Sequence, residues 1–503
     1  VVPVHSATGA GQMLAWECNS LGPDDLRIMH AMAEQIGAAL DREEMATLAR
    51  SAAETGVRHA VARDLHDSVA QFLAGTLFRL KALRRWIREG NDPEGEIGSI
   101  KNALRREQGQ LRLLIERLRR HAAERDAAHS RRSRHVQSQR SGMLAECDGK
   151  SLINFSSNDY LGFAQHPDVI AAFQQAAARD GVGSAGSALV TGHFAVHREL
   201  ELQAAALFGY EAALFTGSGY LANIGILQAV LDDKSVCVQD KFNHACLLDG
   251  ARFSGADLKR YPHADMVQAD ARCAEAKTDT LFLVSDGVFS MDGDAADLEA
   301  LHAIAERHRA TLMIDDAHGV GVLGETGLGS LQAAGLRAAD VPILVVPAGK
   351  ALGGQGALIL AQGDIIQHLL ETARPYLFST APAPAMAAAL STALRLLETQ
   401  PQHHARLQEN IRHFRIRAEA TGLPMLDSQT AIQPLMAGDN ERALQWSAQL
   451  RDAGFWVSAI RPPTVPQGKS RLRITLTTLH TTQQIDALVK ALAEITGGHD
   501  GHG

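Results

Sequence analysis

Cysteine is scarce in this sequence. The 503 residues include only five cysteines, which are scattered and form no C-x-x-C pair: Cys18, Cys147, Cys237, Cys246 and Cys273. Disulfide frameworks and zinc sites need paired or clustered cysteines. We therefore expect buried free thiols and no bound metal.

Long apolar runs are also missing. No stretch approaches the ~18–20 apolar residues that a membrane-spanning helix needs, and Val1 opens neither a basic nor an apolar signal segment. Hydrophobic residues nevertheless make up 46% of the chain. This composition is typical of a globular protein with several domains, and we expect a soluble, cytoplasmic chain that does not associate with membranes.

Positive charge is concentrated in one part of the chain. The net charge is −8, yet residues 101–140 hold twelve Lys and Arg against four Asp and Glu. A basic stretch can bind nucleic acid. The same stretch places apolar residues three, four and seven apart, which predicts an amphipathic helix with its arginines facing solvent. These apolar positions are Leu104, Leu111, Leu114, Ile115 and Leu118. We favour the solvated helix and expect no nucleic-acid partner.

The residue pattern divides the chain into four segments. Residues 1–48 end in a helical pattern and residues 49–122 give two long helical patterns, whereas residues 123–390 alternate short β-branched runs with helices. The strand-like runs "ALFTG", "TLFLVSD", "TLMIDDAH" and "PILVVP" predict a large, mostly parallel, doubly wound sheet, whose ligands bind at the carboxyl ends of the strands. Residues 391–503 mix helices with strands such as "GFWVSAI" and "SRLRITLT", which predicts a smaller α+β domain.

Lys350 is a charge that neither packing nor solubility explains. It follows the apolar run "ILVV" and precedes a run of glycines in "PAGKALGGQG". The amine is either an ordinary turn residue or a nucleophile for an aldehyde cofactor. The strand "LMIDDAHG" ends with Asp315 and His318 three residues apart. A carboxylate at a strand end suits the ring nitrogen of pyridoxal phosphate, and an imidazole suits its phenolic oxygen; the alternative is an Asp–His pair that caps the strand.

Two further segments fit the same ligand. "FTGSGYLANIG" predicts a strand, a turn of small residues and a helix, so that N–H groups near Gly219 and Tyr220 can bind a phosphate. "DKFNHACLLDG" supplies His244, which can stack on an aromatic ring or simply cap a helix. Each signal is weak alone, but all four require one ligand. We therefore predict a pyridoxal-phosphate site.

A dinucleotide fingerprint is the competing interpretation. "GVGVLG", residues 319–324, matches G-x-G-x-x-G after a strand. The following "ETGLGSLQAAG" lacks the apolar period of the helix that would hold a pyrophosphate, and no acidic residue ends a second strand about twenty residues later. We expect no NAD site here.

The motifs from about residue 123 to residue 497 carry a family resemblance. "NFSSNDYLGFAQHP", "HRELE", "NHACLLDGAR", "GVFSMDGD", "DDAHGVGVLGETGLGS", "GKALGG" and "AIRPPTVPQGKSRLRITLT" occur in this order. In them the chain resembles the α-oxoamine synthases, pyridoxal-phosphate enzymes of fold type I, and among these the 8-amino-7-oxononanoate synthases of biotin biosynthesis. The resemblance implies a homodimer with active sites at the subunit interface. It also implies that L-alanine condenses with pimeloyl-CoA or pimeloyl-ACP and loses carbon dioxide.

The resemblance also implies residue roles. Lys350 matches the lysine that forms the Schiff base and later moves the α-proton, Asp315 the partner of the ring nitrogen, and His318 the partner of the phenolic oxygen. His244 matches the stacking histidine. The other matched positions are Ser290 and Asn158 as polar contacts, Arg473 as the ligand of the amino-acid carboxylate, Thr464 and Arg131 as contacts of the acyl substrate, and Ser379 and Thr380 as the loop that reaches the phosphate of the neighbouring subunit.

One position departs from the family in a way that bears on the cofactor. Three residues before the lysine, where the family usually has threonine, this chain has Pro347. Proline removes both a hydroxyl and an N–H group that would face the phosphate. We expect weaker cofactor binding as a result.

The first 120 residues resemble a different family. "RHAVARDLHDSVAQFLAG" is similar to the phosphoacceptor helix of sensor histidine kinases, with His66 as the acceptor, and "LRREQGQLRLLIERLRR" is similar to its partner helix. These two helices imply an all-α two-helix hairpin ahead of the enzyme. Residues 1–48, which precede the hairpin, resemble the end of a GAF domain. Two hypotheses remain open: an acyltransferase that carries this hairpin, or a signalling and dimerisation protein with the enzyme as passenger. We favour the first, because its set of site residues is complete.

Overall fold

The computed structural model describes residues 2–6, 9–13, 84–85, 87–90, 92 and 94–497, and the chain divides into two compact units, Val1–Arg134 and His135–Gly503. In the first unit, strands β1 (Val2–Ser6) and β2 (Gly9–Met13) form an antiparallel pair. His66, most of the GAF-like segment and the first helix of the predicted hairpin lie outside the described residues.

Helix α1 spans Glu94–Ala127 and confirms the helix predicted for the basic stretch. Its first turn is capped, since Glu94 N donates to Asp92 Oδ1 at 3.1 Å. The arginines face solvent and pair along the helix, as in the Arg112–Glu116 contact of 3.0 Å, and such exposed pairs stabilise a helix only slightly. The helix continues through residue 122, so the domain limit that we predicted there falls within an element.

The described residues of the second unit form fourteen strands and thirteen further α-helices. The strands are β3 (Gln137–Ser141), β4 (Leu144–Cys147), β5 (Lys150–Asn154), β6 (Ala212–Thr216), β7 (Val236–Asp240), β8 (Asp257–Tyr261), β9 (Leu281–Asp286), β10 (Thr311–Asp315), β11 (Ile343–Pro347), β12 (Ala357–Ala361), β13 (Ile432–Gly438), β14 (Phe455–Trp456), β15 (Ser458–Ile460) and β16 (Ser470–Thr475). The helices are α2 (Pro167–Asp180), α3 (Ala195–Phe208), α4 (Gly219–Val230), α5 (Ala245–Ser254), α6 (Met266–Ala274), α7 (Leu298–His308), α8 (Ser330–Ala333), α9 (Gly363–Thr372), α10 (Arg374–Leu377), α11 (Pro384–Thr399), α12 (Gln402–Ala420), α13 (Asn440–Asp452) and α14 (Thr482–Gly497).

Seven strands form the large sheet that the sequence predicts. Their order is β6-β12-β11-β10-β9-β7-β8, and β12 alone runs antiparallel to the other six. Successive side chains of a strand point to opposite faces. Accordingly Leu312 and Ile314 of β10 join one buried cluster, while Met313 between them joins another. Both faces of the sheet are therefore covered, which explains why its central strands read as continuous apolar runs.

Two small sheets accompany the large one, and the second of them joins one C-terminal strand to three strands that precede the large sheet. Strands β13, β16 and β15 form one antiparallel sheet, and β14, β5, β4 and β3 form the other. The segment "GFWVSAI", predicted as one strand, is divided: β14 pairs with β5 and β15 pairs with β16, with buried Val457 between them. The predicted limit at residue 390 lies inside α11, which packs on α2 and α3.

The described cysteines are free and buried, as the sequence predicts: Cys147, Cys237, Cys246 and Cys273. Cys18 lies outside the described residues. Among the helices that the structure describes, none combines the length and apolar character needed to cross a bilayer.

Candidate active site

A cleft opens at the carboxyl ends of the central strands of the large sheet. Asp286 ends β9, Asp315 ends β10, and Lys350 follows β11 by three residues; all three line the cleft. In α/β sheets this edge is where ligands bind, because strand ends and helix N-termini converge there. Parallel strands thus gather side chains that are far apart in sequence.

Asp315 is a buried carboxylate with two hydrogen-bond donors. Its side chain is 3% exposed; Asn223 Nδ2 donates to Oδ2 at 2.5 Å and the N–H of Ala317 donates to Oδ1 at 3.1 Å. Burial raises the pKa of Asp315, while the charge of Lys350 and the bond from Asn223 oppose this rise. Donors to the charged form are what keep a buried acid ionised.

Lys350 lies in the field of two buried carboxyl groups. Burial lowers the pKa of the Lys350 amine, and Asp315 and Asp286 act against that change. The pKa of Asp286 is raised well above its usual value, first by burial and then by the charge of Asp315. A desolvated amine with a lowered pKa is a better nucleophile and base near neutral pH than an ordinary lysine.

His244 caps helix α5 and lines the same cleft. The N–H of Cys246 donates to His244 Nδ1 at 3.3 Å, and Cys246 Sγ lies 2.8 Å from the same nitrogen. Because a backbone N–H can only donate, Nδ1 is unprotonated. Burial also lowers the pKa of His244, so the ring is neutral at pH 7 with its proton on Nε2. A neutral ring suits stacking on an aromatic cofactor.

His318 belongs to a hydrogen-bonded chain across the cleft. Its Nδ1 lies 2.7 Å from Tyr160 Oη, which donates to Asn158 Oδ1 at 3.2 Å. Burial lowers the pKa of His318 well below its usual value and raises that of Tyr160. Both side chains are therefore neutral at pH 7.

Arg473 of β16 closes this chain. Its Nη1 donates to Asn158 Oδ1 at 3.1 Å and its Nε donates to the carbonyl of Ser290 at 2.6 Å. The guanidinium is 7% exposed. These bonds orient a buried cation beside the cleft, a suitable partner for the carboxylate of a substrate.

The N-terminus of helix α4 forms one wall of the cleft. Gly219 and Tyr220 begin this helix after Ser218, whose hydroxyl accepts the N–H of Leu221 at 3.2 Å. The first N–H groups of a helix have no partner within it and attract phosphates. A Cβ on Gly219 would lie 2.8 Å from Pro347 Cγ, so glycine is needed where the two segments meet.

These features fit pyridoxal phosphate. Asp315 supplies a buried carboxylate for the ring nitrogen, Lys350 an amine for the aldehyde, and the start of α4 a cradle for the phosphate. The dinucleotide alternative fails on geometry: no helix begins at Gly324, and α8 has only four residues.

The structure brings most of the predicted site residues together and places the others elsewhere. One cleft is lined by Asn158, Gly219, Tyr220, His244, Ser290, Asp315, His318 and Lys350, and Arg473 bonds directly to two of these. Ser379 and Thr380 line a different cavity together with Ala188 and Tyr376. Thr464 is exposed in the loop between β15 and β16, and Arg131 belongs to the first unit, where it pairs with Asp126 at 3.0 Å.

Sequence reasoning missed three residues that touch the site. Asn223 bonds Asp315, Cys246 contacts His244, and Tyr160 contacts His318. Each lies inside a quoted motif. An amide four residues after Gly219, within an otherwise apolar helix, was the available signal for Asn223.

Comparisons with known proteins agree with this site. Residues 150–492 match the family of class I and II aminotransferases, and residues 57–124 match a histidine kinase family. The 8-amino-7-oxononanoate synthase of Stenotrophomonas maltophilia (strain R551-3) is 50% identical over 381 residues, which are 76% of this chain and 93% of that protein. Its namesake in Xylella fastidiosa (strain M12) is 49% identical over 363 residues, 72% of this chain and 90% of that protein.

Two solved structures share the fold. Serine palmitoyltransferase of Sphingomonas wittichii has a TM-score of 0.72 at 29% identity, covering 75% of this chain and 96% of its own. The 8-amino-7-oxononanoate synthase of Francisella tularensis has a TM-score of 0.61 at 27% identity, covering 69% and 99%. With this fold, this cleft and relatives that match over nine-tenths of their length, the chain belongs to the 8-amino-7-oxononanoate synthase family of pyridoxal-phosphate enzymes.

Proposed function

We propose that the chain catalyses the decarboxylative condensation of L-alanine with a pimeloyl thioester, pimeloyl-CoA or pimeloyl-ACP, to give 8-amino-7-oxononanoate. The observation that carries this proposal is the meeting of Lys350 and Asp315 in one buried cleft, each altering the pKa of the other. The half-identical relatives named for this product support the choice of substrates.

The residues around the cleft would hold the cofactor at three points. Lys350 would bond its aldehyde carbon, Asp315 would accept from its ring nitrogen, and the N–H groups of Gly219 and Tyr220 would bind its phosphate. His244 would lie over its ring and His318 beside its phenolic oxygen. When bound, pyridoxal phosphate supplies an electron sink for the α-carbon of alanine.

Lys350 moves the protons of the reaction. Its lowered pKa leaves a larger neutral fraction at pH 7 than an ordinary lysine has, so the amine accepts the α-proton of alanine. After the acyl group has joined with release of the carrier thiol, and carbon dioxide has left, the same ammonium would return a proton to the α-carbon. Between these two proton transfers, the adjacent carboxyl groups of Asp315 and Asp286 stabilise the ammonium form of Lys350.

Arg473 orients alanine. Its guanidinium, fixed by Asn158 and the Ser290 carbonyl, pairs with the substrate carboxylate. A planar fork holds a carboxylate in one orientation, which would align the bond to be broken with the π system of the cofactor. We assign Thr464, in the loop between β15 and β16, to the acyl chain.

The proposed assembly is a homodimer. Ser379 and Thr380 lie in a cavity other than the lysine cleft, beside exposed Phe378, whose side chain is 74% accessible. This placement supports a role across a subunit interface, where the loop would reach the phosphate in the neighbouring subunit.

Product analysis tests this function. The purified chain, incubated with pyridoxal phosphate, L-alanine and each pimeloyl thioester in turn, should release carbon dioxide and a product with the mass of 8-amino-7-oxononanoate. Absence of product with both thioesters would contradict the proposal. Transfer of phosphate to His66 from ATP, with no condensation, would favour the signalling alternative instead; we expect no such transfer from ATP alone.

A further inference from the structure

We propose that Asn223 of helix α4 is a positioning residue that keeps Asp315 ionised for the cofactor. The inference rests on the proposed function, because an ionised Asp315 matters only if a protonated ring nitrogen binds there. Asn223 is not itself a catalytic residue, since it acts through Asp315.

The geometry of the Asn223 amide fixes the direction of its hydrogen bonds. Asn223 is fully buried, at 0% exposed, and its Nδ2 donates both to Asp315 Oδ2 at 2.5 Å and to Cys246 Sγ at 3.1 Å. Turning the amide over would place an oxygen against a carboxylate, which is repulsive. The amide therefore stays with both donors directed at these two acceptors.

The amide oxygen shows that packing alone does not explain this residue. Asn223 Oδ1 is buried and has no hydrogen-bond partner among the described residues, while its neighbours Ala222 and Ile224 are apolar and buried. A buried, half-satisfied amide destabilises a fold relative to an apolar side chain of similar size. The hydrogen bond from Nδ2 to Asp315 explains why an amide stands here despite its destabilising effect.

The charges around Asp315 make that donor necessary. Lys350 faces it as a cation that favours the charged form, whereas Asp286 on the adjacent strand is a second buried carboxyl group, whose own pKa the charge of Asp315 raises. Burial, the largest cause, raises the pKa of Asp315, and the bond from Asn223 lowers it. Without Asn223 the pKa rises further, so Asp315 becomes protonated and loses its cofactor contact at low pH and recovers it as pH increases.

Cofactor affinity across pH tests the proposal. The full chain is freed of cofactor and titrated with pyridoxal phosphate from pH 6 to pH 9, as wild type, Asn223→Ala and Asn223→Asp. We expect Asn223→Ala to bind about tenfold more weakly at pH 6, a deficit that shrinks towards pH 9. Asn223→Asp has nearly the same volume but adds a negative charge, so its deficit should be at least as large.

Asn410 offers a matched control. It is also a buried asparagine, at 2% exposed, but it donates to the carbonyls of Thr477 and His480, away from Asp315. Asn410→Ala should lower thermal stability, and the ratio of its cofactor affinity to that of the wild type should not vary with pH.

A pH-independent deficit in cofactor affinity for Asn223→Ala, or wild-type affinity for Asn223→Asp, would overturn the proposal. If the Ala variant does not fold, the Asp variant decides. Failure of the wild type to bind pyridoxal phosphate would instead overturn the proposed function.

Discussion

At the scale of single residues, the environment of Lys350 explains why an apolar strand is followed by a charge. The amine is desolvated, which lowers its pKa, and lies near two carboxyl groups, which oppose that change. A surface turn would provide neither effect. The residue is therefore interpretable only together with Asp286 and Asp315.

Lys350→Ala should abolish condensation, because no other amine lines the cleft among the described residues. The variant should still bind pyridoxal phosphate without a covalent bond, since Asp315 and the start of α4 remain. Turnover and cofactor content check both statements. Lys241→Ala, at an exposed position, is the matched control and should behave as wild type. Full turnover by Lys350→Ala would refute the assignment.

Pro347 is the residue at which this chain departs from the family pattern. It ends β11 and packs against Gly219 at the phosphate end of the cleft. One hydrogen bond contributes about 0.5–1.5 kcal/mol, so Pro347→Thr should tighten cofactor binding roughly two- to tenfold. Pro347→Val has nearly the same shape as threonine without the hydroxyl and should not tighten it. Equal affinities of the Thr and Val variants would show that the hydroxyl does not reach the phosphate.

The sequence identified the residues of the cleft that belong to motifs with a chemical reason, such as Lys350 and Asp315. It did not identify Asn223, because the sequence of a largely apolar helix does not show which of its residues faces the strand behind it. The contact between Asn223 and Asp315 spans ninety-two residues, and only the parallel sheet brings them together.

At the scale of elements, His480 shows how the C-terminal strands are fastened. Its ring stacks on Phe155 at 4.0 Å, its Nδ1 accepts the N–H of Thr477 at 3.0 Å, and its Nε2 donates to the carbonyl of Asn154 at 3.2 Å. The side chain thus joins the end of β5 to the turn after β16. Burial lowers the pKa of His480 to about 4.

This depressed pKa makes stability depend on pH. In the unfolded chain His480 titrates near its ordinary value of about 6.5, so its contribution is complete above that pH and disappears as pH falls towards 4, a loss of roughly 3 kcal/mol. The difference in unfolding free energy between wild type and His480→Asn should therefore shrink from pH 6.5 to pH 4. His413→Asn, at a partly exposed pair with Asp486, serves as control. A difference that stays constant with pH would contradict this.

Helices and strands were predictable from the sequence where the hydrophobic pattern was clear, as in α7 and β10. The antiparallel direction of β12 was not, because direction depends on which edge the chain returns to and not on its own residues "ALILA". The break at Val457 was missed for a similar reason: β14 and β15 have one continuous pattern but different partners.

At the scale of the whole molecule, the described cleft belongs to the second unit alone. Every described residue that lines the cleft lies beyond residue 150, and the division falls between Arg134 and His135. The sequence placed a junction in this region from the change of pattern. Its exact position was not predictable, since helix α1 runs on to Ala127 without a change in helical pattern.

A chain shortened to begin at His121 should therefore keep its condensation activity. The mass of each chain in solution shows whether the front end associates with its copy in a second chain. If both chains form dimers, the front end does not associate. If only the full chain forms a larger species, it does. Loss of activity on shortening, with the fold intact, would mean that the front end is required.

The most direct test of the account is the site of covalent cofactor attachment. The purified chain with pyridoxal phosphate should show a visible absorbance band that changes when L-alanine is added. Reduction with borohydride before that addition should leave the cofactor on a single peptide, the one containing Lys350, when the digest is examined by mass spectrometry. Attachment to a different lysine, or no attachment at all, would contradict the claim that Lys350 and Asp315 form the active centre.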